Sequence, residues 1–519
     1  MVAPVRPGLF AHVVRETKKA ARLTQCSVPV AAFFCVAGTR TANTRVVNSK
    51  DGPVMDTRSD TIVRTLSGER FTPFAVARKL NARVLLESAT FQNGRERYSL
   101  VMVDEAFRVF ETGDGIFLSD DRGRWRVKSR ARDILDVLRY IADQHEPMQG
   151  GIPFPAGGVG YLSYEFSAKC DTIRLSDRPD PLGLPLASFM FGHVFIVFDH
   201  YTDELHLIGV NYREHEVDLQ TVVDDVAERI LDDDYGHMSL DDGHYHAEVG
   251  KNPQEKERFK DGVAVLKDEI VAGNLLQAVL SRRVEAVTEL PALEAYRRLR
   301  TANPAPYLFF LDYGESQLFG ASPEVHVKVR GGEVQIRPIA GTRRRGATDA
   351  EDRALEAELL ADEKELAEHR MLVDLARNDI GRVCSEVHLT DLLTIERYSR
   401  VMHIVSEARG TLRQGADGIH ALRATFPAGT VSGAPKIRAI ETLDAIEPHR
   451  RGFYAGVVGY IEPGGNLDTC IAIRCAMKTG NTMVLQAGAG VVYDSTPERE
   501  YEETQEKLSA LARAIGLEV

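Results

Sequence analysis

Short apolar runs that partly alternate with polar positions, punctuated by glycine and aspartate, dominate the first half of the chain. Val101 and Val103, then Phe107, Val109 and Phe117, sit in such runs between Gly/Asp turns, the two-residue period of half-buried strands. Over residues 132–144 the period lengthens, and Ile134, Leu135, Leu138 and Ile141 share one face of a predicted helix. Residues 157–164 and 186–198, the latter with Phe189, Phe191, Val194, Ile196 and Phe198, read as further strands. A stretch rich in Asp, Gly and His, residues 232–254, reads as a connection. Beyond it, strands and long helices mix without the steady strand–helix alternation of a doubly wound parallel sheet. The pattern predicts an α+β fold of mostly antiparallel sheets packed with helices.

The longest predicted helix covers residues 350–375, with Thr348 and Glu351 as its capping start. It carries Glu365 and Glu368, three residues apart and so on one helical face. Glu500 and Glu503 repeat that spacing near the C-terminus, with Lys507 one turn beyond. Two helices offering two carboxylates each to a shared space suit Mg²⁺, although periodicity alone leaves each pair equally readable as a solvated face. Residues 429–436, Gly-Thr-Val-Ser-Gly-Ala-Pro-Lys, leave backbone N–H groups for an anion, with Pro435 in a first helical turn. Gly488 and Gly490 mark either a close backbone approach to a ligand or a plain bulge. Arg474, in the apolar run 470–475, is placed in a strand, its guanidinium either paired or at a strand end facing water. His403, flanked by Met402 and Ile404, reads as a satisfied core histidine, and Glu324 as an ordinary glutamate at a turn. The residues alone point to an enzyme or binder for a small polyanionic ligand, with Mg²⁺.

Composition narrows this further. The 519 residues carry 64 Lys+Arg against 76 Asp+Glu, a net charge of −12, which argues against nucleic acid as partner. Six cysteines and no C-x-x-C pair exclude a disulfide framework or a cysteine zinc site, and no apolar run is long enough to span a membrane. Residues 1–50 hold eight basic residues and a single acid, Glu16, followed within the stretch by the apolar run 30–37. Residues 1–58 are therefore set apart as a leader, either a transit-like address or sequence preceding a true start near Met55. The expected location is cytoplasmic, or plastid if the leader is a transit peptide.

Several stretches, taken in order, resemble the chorismate-utilising enzymes, most closely the anthranilate synthase component I family. They are Leu-Leu-Glu-Ser (85–88), Asn-Pro-Ala-Pro-Tyr-Leu-Phe-Phe (303–310), Gly-Ala-Ser-Pro-Glu (320–324) and Pro-Ile-Ala-Gly-Thr-Arg (338–343). Asp-Glu-Lys-Glu-Leu-Ala-Glu-His (362–369), the 429–436 loop, Leu-Asp-Thr-Cys-Ile-Ala-Ile-Arg (467–474) and Gln-Ala-Gly-Ala-Gly-Val-Val (486–492) complete the set. The resemblance implies a regulatory, tryptophan-binding domain at 59–245 and a chorismate-binding catalytic domain at 246–519. It implies Mg²⁺ held by Glu368 and Glu503, with Glu365 and Glu500 on its waters. Gly341, Thr342, Thr430, Tyr454, Arg474, Gly488, Gly490 and Lys507 would hold chorismate. Glu324 would protonate the departing ring hydroxyl as ammonia attacks C2, and His403 would take the C2 proton as pyruvate leaves.

Two positions separate the relatives. Ala340 stands where lysine-nucleophile aminodeoxychorismate synthases carry lysine, and Gln277 where isochorismate and salicylate synthases carry a water-activating lysine. Both favour anthranilate. Glu87, Ser88, Pro306, Tyr307, Leu308, Val458 and Tyr460 match a tryptophan feedback pocket. No cysteine lies in the Gly-x-Cys-x-Gly elbow of a glutamine amidotransferase, so ammonia is expected from a separate glutaminase subunit, in a heterotetramer of two of each. The alternatives are a synthase that stops at 2-amino-2-deoxyisochorismate, an aminodeoxychorismate synthase, and a silent tryptophan-binding protein.

Overall fold

The computed structural model describes the backbone of residues 27–29 and residues 61–88, 97–232, 243–250, 254–398 and 401–517. The expected leader at 1–58, apart from that short backbone stretch, lies outside the described residues. So does most of the predicted connection at 232–254, although residues 243–250 are described and include a short strand, Glu248–Val249.

Two large sheets, of 13 and 12 strands among the described residues, carry the fold. Every described pairing is antiparallel except that of Ser27–Pro29 with Arg126–Lys128. Central strands of the smaller sheet, such as Val194–Asp199 and Tyr307–Asp312, are buried on both faces, which is why they read as continuous apolar runs, whereas its edge strand Thr61–Ser67 is partly exposed. In Val84–Glu87, Val84 enters the core between the sheets while Leu85 lies under an outer helical layer. That layer includes helices Pro73–Leu80, Leu219–Leu231, Ala292–Ala302 and Pro497–Ala514.

Both sheets run across residue 245. In the larger, Val159–Leu162 pairs with Val457–Ile461; in the smaller, Val84–Glu87 pairs with Tyr307–Asp312, Glu87 opposite Leu308. The amino- and carboxy-terminal halves thus meet edge to edge twice.

The helix predicted over 132–144 forms as Ile134–Ala142, started by Asp133, whose carboxylate accepts from the Leu135 N–H. Four expectations need correction. The run 186–198 is two strands, Ala187–Phe191 and Val194–Asp199, which belong to different sheets. The chain crosses between them at Gly192, where a β-carbon would lie 2.5 Å from Met102 Cγ. The single helix predicted over 350–375 is two, Asp349–Ala361 and Glu363–Gly381, broken at Asp362 (φ −77°, ψ 103°). Arg474 is not in a strand: Leu467–Ile471 ends before it, Cys475–Thr479 begins after it, and its own φ is 52°. The Thr348 cap forms as expected, its hydroxyl accepting from the Glu351 N–H at 3.2 Å. Pro435 caps helix Lys436–Ile446 from just outside rather than entering its first turn.

Candidate active site

The break at Asp362 builds the first half of the site. Its Oδ1 accepts from the N–H groups of Lys364 and Glu365, and its Oδ2 accepts from Arg343 Nη2 at 2.8 Å. The cap satisfies donors that a new helix leaves orphaned, and it fixes where the helical phase of Glu365 and Glu368 begins. Helix Glu363–Gly381 rests on the larger sheet and helix Pro497–Ala514 on strand Thr482–Val491 of the smaller. The two carboxylate pairs therefore arrive from opposite sheets, a juxtaposition no periodicity could show.

They do meet. Burial pushes the Glu368 carboxyl above the ordinary carboxylate range, and the nearby charges of Glu365 and Glu503 push it the same way. Burial also raises Glu500, again with Glu503 as the like charge beside it. Like-charge crowding of this kind marks a place where positive charge is favourable. Each partner already present is partial. Gln277 Nε2 donates to Glu368 Oε1 at 2.9 Å, Arg343 Nη1 to Glu365 Oε1 at 3.3 Å, and Lys507 Nζ stands 2.6 Å from Glu503 Oε1. Glu500 Oε2 is buried with no hydrogen-bond partner. An all-oxygen set of this kind fits a hard divalent cation. No three of the four glutamates bring ligand oxygens within 4.8 Å of one another, so the set suits an ion that keeps several waters better than one that needs a tight cage.

Glycines let the backbone into this space. Gly341 has a φ of 76°, and a β-carbon there would sit 3.2 Å from Glu365 Oε2. At Gly490 a β-carbon would come 2.8 Å from Gln277 Nε2, and at Gly488 it would come 2.9 Å from the Tyr454 hydroxyl. Lys507 ties the floor together, its Nζ donating to the Gly488 carbonyl at 2.8 Å. Burial lowers the pKa of the Arg474 guanidinium, with Tyr454 and Glu503 as the neighbouring charges, and it makes no ion pair with any described residue. A half-buried, unpaired guanidinium on this wall is shaped for a carboxylate.

Glu324 and His403 complete the site. Glu324 is 7 % exposed, and burial pushes its carboxyl up to about 8, against the weaker pull of Thr430, the Ile339 amide and Lys507. It is therefore protonated at neutral pH. His403 is not the core histidine its sequence context suggests. It is half-buried at the cleft, with Nδ1 2.9 Å from Thr342 Oγ1 and 3.3 Å from the Gly341 carbonyl. Burial lowers it to about 4, so it is neutral. Tyr398, which sequence reasoning did not single out, stacks edge-on to His403 at 5.5 Å and lies within electrostatic reach of Glu324. Asp362 and Arg343 were also missed, although Asp-x-x-Glu at 362–365 is itself a helix-start signal.

The seven residues matched to a feedback pocket all line one cavity of about 120 Å³, whose lining includes none of the four glutamates above. Tyr307 and Leu308 come from a strand of the smaller sheet and Val458 and Tyr460 from the larger, so the cavity opens between the two. Glu87 Oε2 accepts from the Tyr296 hydroxyl at 2.7 Å and pairs with Arg300 at 3.0 Å. The Ser88 and Tyr98 hydroxyls are buried without partners among the described residues.

Comparison with known proteins gives the family. Residues 90–513 match the family described as chorismate binding enzyme. Anthranilate synthase component 1 of Spirochaeta aurantia is 58% identical over 466 residues, covering 89% of this chain and 96% of that one. The protein of that name from Cereibacter sphaeroides is 42% identical, covering 86% and 93%. The crystal structure of anthranilate synthase component I from Streptococcus pneumoniae superposes with a TM-score of 0.71 at 32% identity, covering 86% of this chain and 99% of that one. The menaquinone-specific isochorismate synthase of Escherichia coli, at 19% identity and a TM-score of 0.66 over 88% and 95% of the two chains, shares the fold. Carrying the family's match over most of its length, the chain belongs to the chorismate-binding enzymes, among the anthranilate synthase component 1 proteins.

Proposed function

We infer that this chain catalyses the Mg²⁺-dependent conversion of chorismate and ammonia to anthranilate, pyruvate and water. The observation that carries the reading is the meeting of Glu365 and Glu368 with Glu500 and Glu503 beside a protonated Glu324 and a neutral His403. The names of the relatives support the substrate and product, and the word component supports a second subunit.

Glu368 and Glu503, with Glu365 and Glu500 around them, would hold Mg²⁺, which supplies positive charge to a substrate carboxylate. Arg474 and Lys507 offer the other positive groups for the substrate's carboxylates, and the backbone at Gly488 and Gly490 admits the ring. Glu324 gives its proton to the ring hydroxyl that leaves as water while ammonia bonds to C2. His403 then accepts the C2 proton, and the enolpyruvyl group departs as pyruvate. Thr342 and the Gly341 carbonyl on its Nδ1 hold the imidazole in place. Two features weigh against the relatives' other reactions. Position 340 is alanine, so no amine stands there for a covalent adduct, and the Gln277 amide is spent on Glu368. Tryptophan would occupy the cavity around Glu87 and Tyr307 as a feedback inhibitor, and a separate glutaminase would supply ammonia.

The test is anthranilate fluorescence from the purified chain with chorismate, ammonium and Mg²⁺. The expected signal disappears with a chelator, returns with added Mg²⁺, and falls with tryptophan. A signal indifferent to the chelator would remove the metal from the account, and one indifferent to tryptophan would remove the inhibitor.

A further inference from the structure

Beside Glu324, against the later turns of helix Glu363–Gly381, lies a small polar recess. It is a cavity of about 30 Å³ lined by Glu324, His326, Thr425, Thr430 and Asp379, with apolar walls that include Leu372 and Ile471. Glu324 immediately precedes strand Val325–Arg330, and His326 lies where its pairing with Leu467–Ile471 shifts register, so both side chains line the recess.

Thr425 Oγ1 lies 3.0 Å from the Ala421 carbonyl, 3.2 Å from the Leu422 carbonyl and 3.1 Å from His326 Nε2. With the hydroxyl proton on a carbonyl, Nε2 donates to Thr425 and Nδ1 is a bare acceptor, the tautomer used below. That Nδ1 is buried, on a residue 2 % exposed, and has no hydrogen-bond partner. The Thr430 hydroxyl is buried beside the Glu324 carboxyl, whose pKa it lowers, and has no other partner. A buried acceptor such as Nδ1 left unsatisfied is costly. A polar recess needs on the order of 10–15 Å³ to take a water, and this one has room for one or two.

We propose that the recess holds an ordered water bound to His326 Nδ1, which also donates to the Glu324 carboxyl, and that His326 is thereby a positioning residue for the general acid. The catalytic half of this inference rests on the function proposed above; the water site does not. The water gives one hydrogen to Nδ1 and the other to Glu324. When Glu324 releases its proton to the substrate, that second hydrogen bond stabilises the carboxylate left behind. His326 is itself no proton store, because burial and the Lys436 charge lower it to about 3. The charged and titratable groups around Glu324 are Lys507 from the C-terminal helix, Tyr398 beside His403, and, across the recess, Asp379 paired with Lys436 at 2.6 Å.

Two measurements test this. A high-resolution crystal structure of the intact chain should show density within hydrogen-bonding distance of His326 Nδ1; a dry recess overturns the proposal whatever reaction the protein performs. Kinetically, His326→Phe keeps the ring's bulk but removes the acceptor. It should move the alkaline limb of the pH–rate profile upward by about one unit, since a hydrogen bond to a charged group is lost. His326→Gln, with an acceptor and a donor in similar places, should restore the wild-type limb. Identical limbs in wild type and His326→Phe overturn the positioning role. If the wild-type chain forms no anthranilate at all, the proposed reaction fails, and the crystallographic result alone decides the water site.

Discussion

In the proposed reaction Glu324 and His403 would divide the chemistry, because burial favours the neutral form of each. Burial keeps a carboxyl protonated up to about 8 and keeps an imidazole neutral down to about 4. The protonated fraction of Glu324 falls as pH rises through about 8, so kcat/KM for chorismate, measured at constant unprotonated ammonia, should decline there. A rate still climbing well above that pH would take the acid role from Glu324. Glu324→Gln keeps the shape without a transferable proton. It should lower turnover by about 10²–10⁴ while chorismate binding, followed by calorimetry, stays near wild type. Both proposed roles were legible only through resemblance, since the residues alone read Glu324 as an ordinary glutamate at a turn and His403 as a core histidine. Its own neighbours suggest a core residue, and what brings it to the cleft is the pairing of its strand with Ile339–Arg344, some sixty positions earlier.

At the scale of elements, helical period located both carboxylate pairs, but it did not reveal that the first helix restarts. Apolar and polar positions continue in phase through Asp362, so the break has no signature in periodicity; the signature lies in the cap. Asp362→Ala removes that cap and an Arg343 partner together. It should cost about 0.5–2 kcal/mol in a urea unfolding curve. It should also weaken Mg²⁺ binding, because Glu365 begins its turn from that cap. A variant with unchanged Mg²⁺ affinity would show that the second helix holds its phase by packing alone. The strands were legible where both faces are buried, as runs too apolar to alternate. The division of residues 186–198 between two sheets was not, because the brief interruption at Gly192 and His193 does not say which sheet the following strand joins.

Across the whole molecule, the two halves of the chain share both sheets, and this was the least legible feature. Nothing near Glu87 announces Leu308 as its strand neighbour, since such pairings depend on packing over long separations. Arg451 shows how tightly the parts are joined. Only 2 % exposed, it donates to both Glu447 oxygens and to the carbonyls of Val279 and Val431, and its guanidinium lies 4.4 Å from the Tyr164 ring of the other half. Arg451→Met strands Glu447 as a buried, half-partnered charge and should destabilise the fold by about 3–5 kcal/mol in urea. A loss below about 1 kcal/mol would mean that water reaches the site. This shared architecture brings the helix of Glu368, packed on one sheet, towards the helix of Glu503, packed on the other, and the account stands on what that arrangement makes. The most direct measurement is mass analysis of the products formed by the intact chain from chorismate and Mg²⁺, with either ammonium or glutamine as nitrogen source. The account predicts anthranilate and pyruvate in equal amounts with ammonium and neither with glutamine alone. Consumption of chorismate to an aminated or isomerised product without anthranilate, or full activity on glutamine, would contradict it.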